Sequence, residues 1–251
     1  MAPGLVSVTF RGLDTGQVLA LAARAGLAAI EWGGDVHVPQ GDLGTAADVG
    51  AATRDHGLEV VGYGSYVRAG RDGAADFAAA AETAAALGAP RVRVWAGTAG
   101  SAETDPAGRA AVAGHLREYA GIAADHGLLV ALEYHRNTLT DTAGSTLRLL
   151  SEVDSPTVRC HWQPPVLATD AEAVAGLRQV LDHVDVVHTF SWTREPTPVR
   201  LPLAARAALW GQVLTVLATT GRRHDLLLEF VADDSPARFA ADAATLLTWC
   251  K

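Results

Sequence analysis

The chain has 251 residues, of which 49% are hydrophobic, and a formal net charge of −8 at pH 7. It has no cluster of Lys and Arg, so it lacks the electrostatic signature of a nucleic-acid-binding protein, and no apolar run reaches the roughly 20 residues of a membrane span. Two distant cysteines do not suggest a disulfide framework, and no signal segment is recognisable at the start. We therefore expect a cytoplasmic protein that acts on a small molecule, with no nucleic-acid or membrane partner.

Eight units, each a strand followed by a helix, are predicted in chain order. The strands are short apolar runs near residues 5–10, 28–32, 59–64, 91–97, 128–135, 157–163, 184–191 and 225–231. The helices are predicted near residues 15–25, 45–56, 72–87, 105–126, 142–153, 170–181, 203–220 and 236–249, several of them after typical N-terminal signals such as Asp105-Pro106. This alternation requires a parallel sheet, and the length is close to the roughly 250 residues of a single (β/α)8 barrel. The sequence therefore predicts one closed α/β barrel domain over residues 1–251.

Polar side chains lie near the C-terminal ends of the last four predicted strands. In a parallel barrel this edge is the one that binds ligands. Two carboxylates, one amide and one imidazole meet there, a donor set that suits Mn²⁺ or Mg²⁺, with Co²⁺ or Zn²⁺ as further options and no organic cofactor. The predicted metal ligands are Glu133, Gln163, His188 and Glu229.

A structural role for Glu133 is the alternative to a catalytic one. Arg93 and Trp95 share a face of the fourth predicted strand, and Arg93 could form a buried ion pair with Glu133. Glu31, on the second predicted strand, is another candidate partner for Arg93.

Aromatic residues and histidines at the strand ends are candidates for substrate binding. Aromatic faces stack on the C–H faces of sugars and exclude water. Four of the nine histidines lie at or beyond strand C-termini, which is a bias that function rather than stability explains. The predicted substrate-binding residues are His37, Tyr66, Trp95, His135, His161, Trp192 and Arg194.

The predicted site suits proton transfer next to a carbonyl group. A divalent ion polarises the carbonyl of a hydroxy ketone and stabilises the enediolate. Glu133 and Glu229, as the predicted catalytic residues, would remove a proton and return one, which is isomerisation or epimerisation.

At these residues the chain resembles the xylose isomerase-like barrel family, also known as sugar phosphate isomerases/epimerases. The resemblance covers essentially the whole chain and rests on GLAAIEWGGDVHVP, GYGSYVR, LEYH, VHTFSW and LLLEF. It implies a Glu, Asp, His, Glu metal set with an acid–base pair of glutamates, which Glu133, His188 and Glu229 match. Gln163 stands where the family usually has Asp. Either the amide oxygen still binds the metal, or Glu133, His135, His161 and Glu229 run a metal-free reaction.

The sequence leaves the substrate and the outcome of the reaction open. The acidic loop VADDSP favours an unphosphorylated sugar, keto-sugar or polyol, although Arg194 and Arg200 could offset its charge. A lyase of the same barrel is the alternative, either of the inosose dehydratase type or one that eliminates a group β to a keto-sugar carbonyl. A non-catalytic partner subunit is a third hypothesis, and a DNA-repair endonuclease is disfavoured by the acidic charge. The resemblance also implies that a homo-oligomer is possible.

Overall fold

The computed structural model describes all 251 residues and confirms the predicted (β/α)8 barrel. Each of the eight barrel strands pairs in parallel with both neighbours, so that the sheet closes on itself. The barrel strands are β1 (Ala2–Val6), β2 (Ala29–Gly33), β3 (Glu59–Arg68), β4 (Arg91–Trp95), β5 (Leu129–Glu133), β6 (Val158–Trp162), β7 (Val184–Thr189) and β10 (Asp225–Leu228).

Eight helices surround the barrel, one after each barrel strand, close to their predicted positions. They are α1 (Thr15–Arg24), α2 (Leu43–Asp55), α3 (Ala74–Leu87), α4 (Pro106–Asp125), α5 (Ala143–Val153), α6 (Asp170–Val180), α7 (Ala207–Ala218) and α8 (Pro236–Trp249). Two short strands, β8 (Ser191–Trp192) and β9 (Arg200–Leu201), form an antiparallel pair in the loop between β7 and α7. No helix combines the length and the apolar character needed to cross a membrane.

The first strand lies earlier than predicted. The prediction of a strand over residues 5–10 is wrong, because β1 covers Ala2–Val6 and Ser7–Phe10 form a 3-10 helix. The hydroxyl oxygen of Ser7 accepts a hydrogen bond from the backbone N–H of Gly33 at 2.9 Å. A side-chain hydrogen bond therefore replaces the backbone hydrogen bonds at the point where the pairing of β1 with β2 ends. The apolar run continues past this point because Phe10 packs edge-on against Phe239 of α8, with ring centroids 5.5 Å apart. At residues 7–10 the apolar sequence therefore indicated burial and not a β-strand.

Side chains alternate along each strand between the helix layer and the barrel interior. Outward positions belong to the large apolar core of 60 buried residues that the helices cover. The inward positions form a smaller apolar cluster that includes Ala29, Val186 and Leu227. Because alternation has a period of two, the next inward residues toward the C-terminal ends of these strands are Glu31, His188 and Glu229. The fold thus brings charged groups together directly beyond the apolar interior.

Candidate active site

A cavity of about 380 Å³ lies at the C-terminal ends of the barrel strands. This volume falls within the usual range for small-molecule sites, about 300–1,000 Å³. Seven of the predicted site residues line it: Tyr66, Trp95, Glu133, His135, Gln163, Trp192 and Glu229.

The four predicted metal ligands form a chain of contacts that runs from Glu133 through Gln163 and His188 to Glu229. The Nε2 atom of Gln163 is 3.4 Å from Oε1 of Glu133, and its Oε1 atom is 3.4 Å from Nδ1 of His188. That same Nδ1 atom is 3.3 Å from Oε2 of Glu229. Two ligands of one divalent ion, each about 2.0–2.3 Å from it, lie about 3.0–3.5 Å from each other. The distances from Nδ1 of His188 to the oxygens of Gln163 and Glu229 fit two ligands of such an ion, whereas Glu133 faces the amide nitrogen of Gln163. The assignment of these four residues as its ligands stays a prediction.

Glu133 is held by strong hydrogen-bond donors. Its Oε2 atom accepts hydrogen bonds from the guanidinium of Arg93 and from the indole N–H of Trp95. Burial opposes ionisation, but the adjacent Arg93 charge outweighs it and lowers the pKa of Glu133 to about 2. Arg93 also lies 3.5 Å from Glu31, so the buried ion pairs considered from the sequence are both present. Glu133 is consequently a fixed carboxylate, with Oε1 directed toward Gln163.

A second cluster of possible metal-ligating groups lies beneath the cavity. It consists of Glu31, His161 and His188, all buried, with one donor atom from each within 4.8 Å of the others. The Nδ1 atom of His161 is 3.6 Å from Glu31, and Nε2 of His188 is 3.7 Å from Glu31. From the sequence, Glu31 was expected only as a partner of Arg93. An acidic residue inside the apolar strand AAIEWG was the available signal for a role at the site.

The two buried histidines have opposite electrostatic environments. Burial, together with the neighbouring charges of His188 and Arg93, holds the pKa of His161 well below its ordinary value. Burial also acts against the charged form of His188, but Glu229 and Glu31 raise its pKa to about 10. The surroundings therefore favour the protonated form of His188 and the neutral form of His161 when no metal ion is bound.

Three of the predicted substrate-binding residues do not line the cavity. His37 is buried beside Trp32, with its Nε2 atom 3.0 Å from the carbonyl oxygen of Leu13. His161 lies below the floor, and Arg194 is exposed in the loop between β8 and β9. A position near a strand end was therefore not sufficient to bring these side chains into the cavity.

A closed (β/α)8 barrel with a polar site at its C-terminal edge defines a broad class of enzymes and binding proteins. Comparison with family models is more specific, since the model for the xylose isomerase-like TIM barrel matches residues 19–206. The chain belongs to this family.

Individual relatives include both dehydratases and epimerases. A 3-dehydroshikimate dehydratase of Bacillus anthracis is 41% identical over 71 residues, which cover 28% of this chain and only 25% of that relative. The crystal structure of a probable 3-DHS dehydratase involved in petrobactin synthesis in Bacillus anthracis superposes with a TM-score of 0.84 and 21% identity, covering 98% of this chain and 99% of the other. The structure of an L-ribulose 3-epimerase superposes with a TM-score of 0.77 and 18% identity. The superposition covers 99% of this chain and 94% of the epimerase chain. These structural likenesses show the shared fold.

Proposed function

We propose that this chain is a divalent-metal-dependent isomerase or epimerase that abstracts a proton next to the carbonyl of a sugar, keto-sugar or polyol-derived ketone. The observation that carries the proposal is that Glu133 and Glu229 line one cavity and are linked through Gln163 and His188. Two carboxylates on one small cavity provide a base and an acid for the same substrate carbon.

The divalent ion, Mn²⁺ or Mg²⁺ in this proposal, would be held by Glu133, Gln163, His188 and Glu229. When bound there, it supplies a Lewis acid that polarises the substrate carbonyl.

The two glutamates differ in how firmly they are held, and this suggests their roles. Glu133 is oriented by Arg93, Trp95 and Gln163. The side chain of Glu229 has one close polar neighbour, His188, which lies near its Oε2 atom. Glu229 therefore has an oxygen free to take a proton from the substrate carbon. Glu133 is held ionised by Arg93, so it first takes a proton from a hydroxyl group of the bound substrate and then returns that proton to the same or the neighbouring carbon.

Dehydration is the second candidate reaction, and His135 favours it. This histidine lines the cavity and lies parallel to the Trp95 ring, with centroids 5.4 Å apart and planes 7° apart. An imidazole in this position can protonate a hydroxyl group that leaves after the carbon next to the carbonyl has lost its proton. The similarity to dehydratases supports this alternative. Both reactions begin with the same proton abstraction and differ in whether a proton is returned or a hydroxyl group leaves.

NMR spectroscopy in D₂O with the manganese- or magnesium-loaded protein separates the two reactions. Deuterium incorporation with an unchanged molecular formula identifies an isomerase or epimerase, whereas loss of water identifies a lyase. We expect Glu133→Gln and Glu229→Gln each to reduce turnover by at least about a hundredfold, as loss of a general base or acid does. Arg178→Gln, an exposed residue of α6 outside the cavity, is the control. Full activity in both glutamine variants would contradict the proposal and favour a non-catalytic role.

A further inference from the structure

An arginine outside the cavity lies against one of the residues that line it. The guanidinium carbon of Arg68 is 3.4 Å from the centroid of the Trp95 ring, and Trp95 lines the cavity whereas Arg68 does not. The π electrons of an indole attract a cation placed over its face, and tryptophan does so more strongly than the other aromatic residues. Arg68 is half-buried, so water screens this attraction less than it would at a fully exposed site.

Strand β3 is shaped so that Arg68 reaches Trp95. This strand is ten residues long, and its pairing with β4 is irregular. Gly64 of β3 pairs with Arg93 of β4. The next paired residue is Arg68, which lies beside Trp95, so four residues of β3 span two residues of β4. Within this stretch the hydroxyl of Ser65 donates a hydrogen bond to the carbonyl oxygen of Arg93 at 2.6 Å. Extra residues in one strand of a pair re-aim side chains, often next to an active site.

The charge of Arg68 has no carboxylate partner. Asp72, in the loop after β3, accepts a hydrogen bond from the backbone N–H of Arg68 but forms its salt bridge with Arg71, at 2.7 Å. The Nη1 atom of Arg68 lies 3.4 Å from the carbonyl oxygen of Gly97, which is long for a hydrogen bond. The Trp95 ring is therefore the main partner of this guanidinium.

Trp95 connects Arg68 to the floor of the cavity. Its indole N–H donates to Oε2 of Glu133, the oxygen that also accepts from the guanidinium of Arg93. A cation over the indole face draws electron density out of the ring, which makes the N–H proton more positive and the N–H a stronger donor. The stacked guanidinium also restricts rotation of the ring. Arg68 thus acts on both the direction and the strength of the hydrogen bond to Glu133.

We propose that Arg68 is a positioning residue for the reaction at this site. It holds the Trp95 ring in place and strengthens the hydrogen bond that fixes Oε2 of Glu133, so that this carboxylate keeps one orientation during proton transfer. Arg68 itself contacts neither the cavity nor the reacting atoms. This inference rests on the proposed function, and it adds a second support for Glu133 beside Arg93.

NMR spectroscopy of the magnesium-loaded protein tests the contact without a substrate. The indole N–H resonance of Trp95 is identified by its loss in Trp95→Phe. Arg68→Met should move this resonance upfield, because a weaker hydrogen bond shields the proton, and Arg68→Lys should move it less. Glu133→Gln replaces the acceptor and shows how far the resonance moves when this hydrogen bond is weakened. An unchanged resonance in Arg68→Met would overturn the proposal.

The matched control for these spectra is Arg71→Met. Arg71 lies in the loop after β3 and is exposed, and its partner is Asp72 and not an aromatic ring. The Trp95 resonance should therefore keep its wild-type position in this variant. A shift as large as that of Arg68→Met would show that any lost charge near this loop moves the resonance, which would contradict the specific role of Arg68.

Kinetics measure the effect of the contact on proton transfer, followed as deuterium exchange into the substrate. Arg68→Met should lower kcat by about tenfold, as loss of a half-buried cation–π contact implies, with KM changed by less than about twofold. Arg68→Lys should restore part of the loss. In a Trp95→Phe background the same Arg68→Met change should lower kcat no further, because no indole N–H remains to be oriented. An equal loss in both backgrounds would contradict action through Trp95.

The two levels of the argument fail in different ways. If the proposed function is wrong, no deuterium enters any hydroxy ketone with the wild-type protein, yet the Trp95 resonance still responds to Arg68→Met. If only the role of Arg68 is wrong, the wild type exchanges deuterium, and the resonance and kcat are the same in Arg68→Met as in the wild type.

Discussion

The Nε2 atom of His188 lies 3.7 Å from Oε1 of Glu31, while Nδ1 of the same ring faces Glu229 at 3.3 Å. Glu31 therefore lies behind the imidazole, on the side away from the predicted metal position. A carboxylate in this position fixes the ring orientation and directs its other nitrogen toward the ion. Glu31, Glu133, Glu229 and Arg93, counted as ionised, carry a formal charge of −2, which one divalent cation balances.

We therefore expect Glu31→Gln to lower the affinity for Mn²⁺ by about 10–100-fold, the usual effect of losing such an outer partner. Competition with a fluorescent chelator measures this affinity directly and without substrate. Glu59→Gln, an exposed glutamate at the start of β3, is the control and should bind the ion like the wild type. Equal affinities in both variants would show that Glu31 does not support the ion, whereas no binding by the wild type would contradict the metal site itself.

Removal of Arg93 should strongly destabilise the fold. Arg93→Met leaves Glu31 and Glu133 buried without their cation, and breaking a buried pair in this way costs about 3–5 kcal/mol. Urea denaturation measures the change in the free energy of unfolding. Arg148→Met, which breaks an exposed pair with Glu152, should cost less than about 1 kcal/mol.

A second measurement separates the charge from the packing of Arg93. In Arg93→Met/Glu133→Leu both charges of the close pair are absent, so the double variant should lose less stability than the sum of the two single variants. Strict additivity would mean that Arg93 contributes through packing alone.

The buried ion pairs depend on the absence of a side chain at Gly64 in β3. A Cβ atom there would lie 2.9 Å from Nη2 of Arg93 and 3.1 Å from Oε1 of Glu31. We expect Gly64→Ala to destabilise the protein by about 1–3 kcal/mol, the usual cost of overpacking. Gly211→Ala in α7, where a Cβ meets no atom within 4 Å, should instead stabilise it by up to about 1 kcal/mol. Thermal unfolding measures the change in stability of each variant, which should be negative for Gly64→Ala and positive for Gly211→Ala. A stabilised Gly64→Ala variant would contradict the claim that the ion pairs need the space at Gly64.

Asp242 of α8 should make stability depend on pH. Burial raises the pKa of this carboxyl, although it accepts a hydrogen bond from the N–H of Leu203 at 2.7 Å. A raised pKa in the folded state means that the ionised form costs stability, so this contribution worsens as the pH rises through that pKa. Asp242→Asn can keep the hydrogen bond without the charge, and we expect it to be more stable than the wild type at pH 7. The difference in stability between the two proteins should vanish toward pH 3, where residue 242 is neutral in both. A difference that grew at low pH would contradict the raised pKa of Asp242.

The sequence alone determined the barrel and much of the site's layout. Strand-length apolar runs between helical segments are local patterns, and parallel pairing then requires all C-terminal strand ends to meet at one edge. This reasoning predicted that Glu133, Gln163, His188 and Glu229 would approach one another, and it suggested the pairing of Arg93 with Glu133. The same reasoning misplaced the first strand, because an apolar run indicates that residues are buried but does not show where the hydrogen bonds of a strand end.

Only the tertiary structure decided which side chains enter the cavity and what lies behind them. Glu31 reaches His188 because β2 and β3 shift their register next to it and the glycines of β3 leave room for its side chain. His37 and His161 do not line the cavity although they lie near strand ends, since His161 is buried beneath its floor beside Glu31, and Arg136 lines it without a carboxylate partner. Such placements depend on side-chain packing between segments far apart in the chain. Local patterns of hydrophobicity do not predict those contacts.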